Sequence, residues 1–265
     1  MILHGATAVI TGGGSGMGAG AAAVLAEQGV HTCLLGRRKA VLEATASRLG
    51  ASAYPCDVSD PESLESVFDS IGEQWGAPRI LLHAAAIGHM LPLLSGRGQA
   101  SSKAALREII DINVMGTLYT NQAFAERLSR AEPLENGLRG LIINVSSIGA
   151  LDGVVGASYV ASKAAVNGLC LSLARELSSY GIRVMTIAPG GIDTEMFRSG
   201  ANEATYELIA SSVPGLQRVG TPREFGELVR QICENDYLNG SIIRLDGGMR
   251  IPFVKNVGKD TEALE

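Results

Sequence analysis

Long apolar runs, clustered cysteines and charge of one sign are all missing from this 265-residue chain, and each absence excludes a class of function. No apolar run reaches the roughly 18 residues that a membrane-spanning helix requires. The four cysteines, Cys33, Cys56, Cys170 and Cys233, stand far apart and form neither a CxxC pair nor a Cys/His set with metal-ligand spacing. They are expected to be buried, reduced thiols, and no metal is expected. The 22 basic and 27 acidic residues leave a net charge of −5. There is no basic stripe of the kind nucleic acid demands and no run of like charges to reach for a charged partner. The opening MILHGATAVITGGG has no charged segment followed by an apolar one, so no secretory signal is read there. A soluble protein of a reducing compartment, the cytoplasm, is expected. Internal repeats and linkers are absent too, so residues 1–265 read as one domain.

What is present is alternation. Short β-branched runs at Thr7–Thr11, His31–Leu35, Ser52–Cys56, Ile80–Ala84, Leu141–Val145, Arg183–Ala188 and Ser241–Leu245 read as strands. Several are continuously apolar, as parallel strands covered on both faces should be. Between them lie helical stretches at Gly18–Gln28, Ala40–Leu49, Pro61–Trp75, Ala104–Leu128, Ser158–Ser179 and Pro222–Glu234. Pro61 and Pro222 sit near helix starts, where a missing N–H costs nothing. The pattern predicts an α/β chain: a single-domain Rossmann fold with a doubly wound, seven-stranded parallel sheet. Gly88–Ser102, Ala131–Gly140 and Thr194–Leu216 read as loops, the last as a substrate lid. Pro252–Glu265 reads as a tail or a subunit contact.

The first strand runs into Thr11-Gly12-Gly13-Gly14-Ser15-Gly16-Met17-Gly18, and a helical pattern follows. Glycines allow a tight turn and close backbone approach, and the helix N-terminus then offers free N–H groups to a pyrophosphate. Gly12, Ser15, Gly16, Met17 and Gly18 are therefore candidate cofactor residues. An acid after the second strand would bond the ribose 2′-OH of NAD. Here Gly36 stands in that place, followed by Arg37 and Arg38. Guanidinium forks suit a 2′-phosphate, so NADP(H) is favoured over NAD(H).

Tyr159 and Lys163, in Tyr159-Val160-Ala161-Ser162-Lys163, share a helix face at i and i+4. A nearby ammonium favours a phenolate, which makes the pair a candidate acid/base. Asn144-Val145-Ser146-Ser147 ends the preceding strand, where ligands bind in such sheets. Asn113 lies on an earlier helix, and Pro189-Gly190-Gly191-Ile192-Asp193-Thr194 follows the next strand.

The glycine spacing is the TGxxxGxG of the short-chain dehydrogenase/reductase family. The order Asn113, Ser147, the YxxxK of Tyr159 and Lys163, then the PGxxxT ending at Thr194 resembles that family's pattern across residues 5–250. The resemblance implies an oxidoreductase that interconverts a secondary alcohol and a ketone by direct hydride transfer. It implies that Tyr159 moves the hydroxyl proton, and that Lys163 lowers the Tyr159 pKa and binds the nicotinamide ribose. Ser147 would bond the substrate oxygen, with Ser146 as the alternative, and Asn113 would hold a relay water. Asp57 and Val58 would contact the adenine, Ala84 and Ala85 the adenosine ribose, and Pro189, Ile192 and Thr194 the nicotinamide. It also implies a homotetramer or homodimer built on the stretches Ala104–Leu128 and Ser158–Ser179.

Gly181–Gly190 and Leu238–Gly248 are similar to the type II 3-hydroxyacyl-CoA dehydrogenases, also called 17β-hydroxysteroid dehydrogenase type 10. That likeness points to 3-hydroxyacyl or 3-oxoacyl thioesters. Two departures stand out. The subgroup carries an acid after the second strand and uses NAD, whereas this chain has Gly36-Arg37-Arg38. His83-Ala84-Ala85-Ala86 replaces the family's Asn-Asn-Ala-Gly, and His83 is expected to be a satisfied strand histidine. The alternatives are an NADP(H)-binding sensor without turnover and an NAD(H)-dependent hydroxysteroid or simple alcohol dehydrogenase.

Overall fold

The computed structural model describes residues 1–95 and 97–251; the expected tail Pro252–Glu265 lies outside the described residues. The apolar runs become strands β1 (Thr7–Thr11), β2 (His31–Gly36), β3 (Ser52–Pro55), β4 (Ile80–His83), β5 (Gly140–Val145), β6 (Ile182–Pro189) and β7 (Ile242–Leu245). They form one sheet in the order β3-β2-β1-β4-β5-β6-β7, with every pairing parallel. β1, β4, β5 and β6 are buried at every position. That is why their sequences show no apolar/polar alternation. No helix among the described residues is long and apolar enough to cross a membrane.

The helices, in chain order, are α1 (Gly16–Glu27), α2 (Lys39–Leu49), α3 (Pro61–Trp75), α4 (Lys103–Ile110), α5 (Gly116–Ser129), α6 (Gly149–Asp152), α7 (Ala157–Glu176), α8 (Glu195–Gly200), α9 (Glu203–Ser211) and α10 (Pro222–Glu234). One core packs Leu25, Leu42, Phe225 and Val229 of α1, α2 and α10 on Ile10, Leu34, Leu82 and Ile143 of the sheet. The other packs Phe68, Phe124, Leu128 and Ala174 of α3, α5 and α7 on Val9, Leu81, Ile142 and Val184. The winding direction reverses between β1 and β4, so the crevice for a ligand opens above their carboxyl ends.

Two expectations are corrected. Ala104–Leu128 is not one helix: a π turn over Asp111–Met115 joins α4 to α5. The widened turn carries Asn113, and such turns often sit at functional sites. Thr194–Leu216 is not a plain loop but holds α8 and α9. Thr194 caps α8 by accepting from the Phe197 N–H, and Asn202 caps α9 by accepting from Thr205. Gly88–Ser102 is irregular apart from one antiparallel bridge between Leu94 and Ala100.

Candidate active site

Beyond β1 the chain turns through Gly12 at φ 66°. A Cβ there would lie 3.0 Å from the Ala84 carbonyl carbon, and one on Gly18 only 2.4 Å from the Gly12 oxygen. Any side chain would force the turn off β4 or α1 off the turn. Ser15 is the N-cap of α1, yet its side chain makes no cap bond, and no acid stands in the first turn. The N–H groups and positive dipole end of a twelve-residue helix are thus left for an anion. A dinucleotide pyrophosphate fits this cradle.

A cleft runs from this turn along the sheet edge. Its lining includes Gly12, Ser15, Gly16, Met17, Gly18, Arg37, Arg38, Asp57, Val58, Ala84, Ala85 and Thr194. Twelve of the expected cofactor residues therefore meet in one place. The arginines are not free. Arg37 lies 3.8 Å from Asp57 Oδ2. Arg38 bonds Ser15 Oγ at 3.0 Å and grips Glu195 of α8 from both Nη atoms, each 3.0 Å from Oε2. Burial pushes the Asp57 carboxyl upward, but bonds from the Ser59 hydroxyl and N–H, with the Arg37 charge, hold it below its ordinary value.

Thr11 ties β1 to the departing segment after β4. Its Oγ1 accepts from the N–H groups of Ala84 at 3.1 Å and Ala85 at 3.0 Å. Both acceptor positions are then used, so its hydroxyl donates to His83 Nδ1, 3.2 Å away. That contact assigns the proton of neutral His83 to Nε2, which has no partner among the described residues. The expected satisfied histidine is satisfied on one side only. Burial, and secondarily the Lys163 charge, pulls its pKa down to about 3.

Tyr159, Ser147, Lys163 and Asn113 lie beyond the lining of this cleft. The Ser147 hydroxyl faces the Tyr159 phenol closely enough to favour its ionised form and accepts from the Gly149 N–H at 3.0 Å. Ser146 is 3% exposed and donates to the Lys163 carbonyl at 2.9 Å. The serine that faces the phenol is therefore Ser147. Lys163 is buried, and its Nζ donates to the Val145 carbonyl at 2.9 Å. Burial pulls its pKa down to about 8. The net direction for Tyr159 is upward, because burial outweighs the Ser147 bond. This is opposite to the expected lowering: among the described residues no ammonium contact offsets the desolvation of the phenolate.

Asn113 is 1% exposed. Its Oδ1 accepts from the Ile87 N–H at 2.9 Å, and its Nδ2 donates to the Ile87 carbonyl at 3.0 Å and to Ser162 Oγ at 3.1 Å. Ser162 in turn donates to the Tyr159 carbonyl at 2.7 Å. Asn113 so braces the cleft wall at Ile87 against the helix of Tyr159. Both its amide hydrogens are engaged, leaving one Oδ1 lone pair. Pro189 and Ile192 are buried beneath the turn after β6, and the Pro189 carbonyl accepts from the Ile148 N–H at 3.0 Å, next to Ser147.

Four partners had no signal in the sequence: Thr11, Ser162, Glu195 and the Val145 carbonyl. The mouth of the site is apolar. Met196 of α8 meets Gly88 and Met90 meets Gly156 just before α7, and both methionines are exposed.

Comparison with known proteins agrees with this geometry. A family model described as "Enoyl-(Acyl carrier protein) reductase" matches residues 12–250. The chain is 37% identical over 253 residues to the 3-hydroxyacyl-CoA dehydrogenase type-2 of Homo sapiens, covering 94% of this chain and 97% of that one. The crystal structure of 3-hydroxyacyl-CoA dehydrogenase type-2 from Mycobacterium avium superposes with a TM-score of 0.87 at 32% identity, covering 94% and 97% of the two chains. A short chain dehydrogenase from Bacillus anthracis superposes with a TM-score of 0.81 at 32% identity, covering 95% and 99%.

Proposed function

This chain belongs to the short-chain dehydrogenase/reductase family of oxidoreductases, and from that premise we propose that it interconverts a secondary alcohol and a ketone with NADP(H), acting on 3-hydroxyacyl or 3-oxoacyl thioesters. The observation that carries the reading is the Ser147 hydroxyl facing Tyr159 on the helix that also bears Lys163, beside the glycine-lined cleft. The bound nicotinamide supplies or accepts the hydride.

The chain's own residues do the rest. Tyr159, kept protonated by burial, gives its proton to the carbonyl oxygen in reduction; in oxidation the phenol must first lose that proton, and the phenolate then takes up the one the alcohol releases. The Ser147 hydroxyl bonds the same oxygen and stabilises the charge that develops on it. Lys163, at about 8, carries a proton near neutral pH, and from its seat on the Val145 carbonyl it would bind the nicotinamide ribose. Asn113 holds the Lys163 helix in place through Ser162, and its free Oδ1 lone pair is the seat of the relay water. Gly12–Gly18 would hold the pyrophosphate, and Arg37 and Arg38 the 2′-phosphate. Asp57 and Val58 would sit at the adenine, Ala84 and Ala85 at the ribose, and Pro189, Ile192 and Thr194 at the nicotinamide.

The thioester class is supported by the names of the relatives and by the exposed apolar rim, which suits an acyl chain. The four free, buried cysteines fit a reducing compartment, the cytoplasm. One observation favours a second reading with NAD(H): Asp57 and Glu195 already pair with Arg37 and Arg38, and a carboxylate in that place suits a ribose 2′-OH.

Replacing Tyr159 with Phe tests the mechanism. Turnover is expected to fall about 10²–10⁴-fold, with NADPH binding by fluorescence titration unchanged. A variant that turns over like the parent would sink the assignment.

A further inference from the structure

We propose that Arg244 is a positioning residue for Ser147. It stands at the carboxyl end of β7 and touches no reacting group. Its guanidinium makes a two-pronged pair with Asp152, Nη1 to Oδ1 at 2.6 Å and Nη2 to Oδ2 at 2.7 Å. Its Nε donates to Asp246 Oδ2 at 2.7 Å, and Nη2 also donates to the Met249 carbonyl at 3.1 Å. The carboxylates are largely shielded, with side-chain exposures of 13% for Asp152 and 7% for Asp246. A fork held at three points fixes orientation as well as charge, unlike the exposed pairs elsewhere on the surface.

What the fork holds gives it a function. Asp152 is the last residue of α6, the single turn that starts directly after Ser147 and Ile148. The Ser147 carbonyl accepts from Ala150, the Ile148 carbonyl from Asp152, and Ser147 Oγ from the Gly149 N–H at 3.0 Å. So short a helix cannot fix its own position. Arg244 clamps its far end to β7. Asp246, the second carboxylate, packs directly against Gly190, where a Cβ would come within 2.8 Å of the Asp246 Cβ. Gly190 also donates to the Leu245 carbonyl at 2.9 Å. Arg244 therefore seats the Ser147 turn on β7, while the Pro189–Ile192 turn keeps its own backbone bond to Leu245. The proposal rests on Ser147 bonding the substrate oxygen.

The test uses Arg244→Lys, which keeps the charge and loses the fork, and Asp152→Asn, which keeps the shape. Each is made alone and with Ser147→Ala. The single-turnover hydride-transfer rate is expected to fall about 10–100-fold in either single variant, the cost of a displacement near 1 Å. NADPH affinity should stay unchanged. In the Ser147→Ala background the further loss should vanish, because the clamp acts through that hydroxyl. Amide hydrogen exchange at 149–152 should rise in both variants while β5 stays protected. Equal losses with and without Ser147, or unchanged exchange at 149–152, would overturn the proposal. If Ser147→Ala alone leaves turnover intact, the role of Ser147 fails instead, and the exchange measurement still decides whether Arg244 holds the turn.

Discussion

His83 and Lys163 are both drawn below their ordinary pKa values by burial, to about 3 and to about 8. The two act at opposite ends of the pH scale. An unfolded histidine takes up a proton near pH 6.5, whereas folded His83 does so only near 3, so folding stability is lost as pH falls through that window. Unfolded Lys163 keeps its proton to about 10.4, so stability rises with pH between about 8 and that value. The expected result is that His83→Asn flattens the acid loss, and Lys163→Met removes the alkaline rise, in denaturant titrations across pH 4–10. Parallel curves for parent and variants would contradict these assignments. At this scale the motif residues were legible, since glycines at a turn and a Tyr–Lys pair at helical spacing have few other reasons to coincide. The direction of the Tyr159 shift was not legible, because it depends on how deeply α7 buries the phenol. Nor was the Val145 carbonyl that holds Lys163, as a backbone acceptor leaves no trace in side-chain identity.

α1 and α10 approach closely. A Cβ on Gly20 would lie 2.4 Å from the Pro222 carbonyl oxygen, and one on Gly226 2.8 Å from the Gly20 oxygen. The capping box of Thr221 and Glu224 holds the start of α10 in place, so the contact has little freedom to relax. Gly20→Ala is expected to cost about 1–3 kcal/mol of stability, read from the urea midpoint, although alanine is the better helix former. A neutral or stabilising substitution would mean that the helices can part. The strands and most helices were legible as elements because burial on both faces and amphipathic spacing leave direct marks. Thr194–Leu216 was misread as a loop, although Thr194 and Asn202 are ordinary cap residues, because α8 and α9 are too short for their apolar spacing to stand out. The π turn at Asp111–Met115 escaped for a related reason: a single widened turn of five residues is too short to announce itself in the apolar spacing.

The winding of the chain reverses once, between β1 and β4, and that single topological fact brings Gly12–Gly18, Arg37, Asp57 and Ala84 to one cleft although they are distant in sequence. The alternation of strand and helix was enough to foresee it. The balance of charge in the cleft was not foreseeable, because Glu195 reaches Arg38 only through the fold of α8. A homotetramer built on α4–α5 and α7 is proposed at this scale, with exposed Leu171 on α7 available for contact. Light scattering should return the mass of four chains, and a monomeric mass would contradict it.

The central claim, NADP(H)-dependent oxidation of a secondary alcohol, is tested most directly by steady-state reduction of NADP⁺ and NAD⁺ over a panel of secondary alcohols and 3-hydroxyacyl thioesters, in the parent chain and in Arg37→Asp. The expected result is turnover that favours NADP⁺ in the parent and shifts toward NAD⁺ in the variant. A preference for NADP⁺ that survives Arg37→Asp, or a parent that favours NAD⁺, would contradict it.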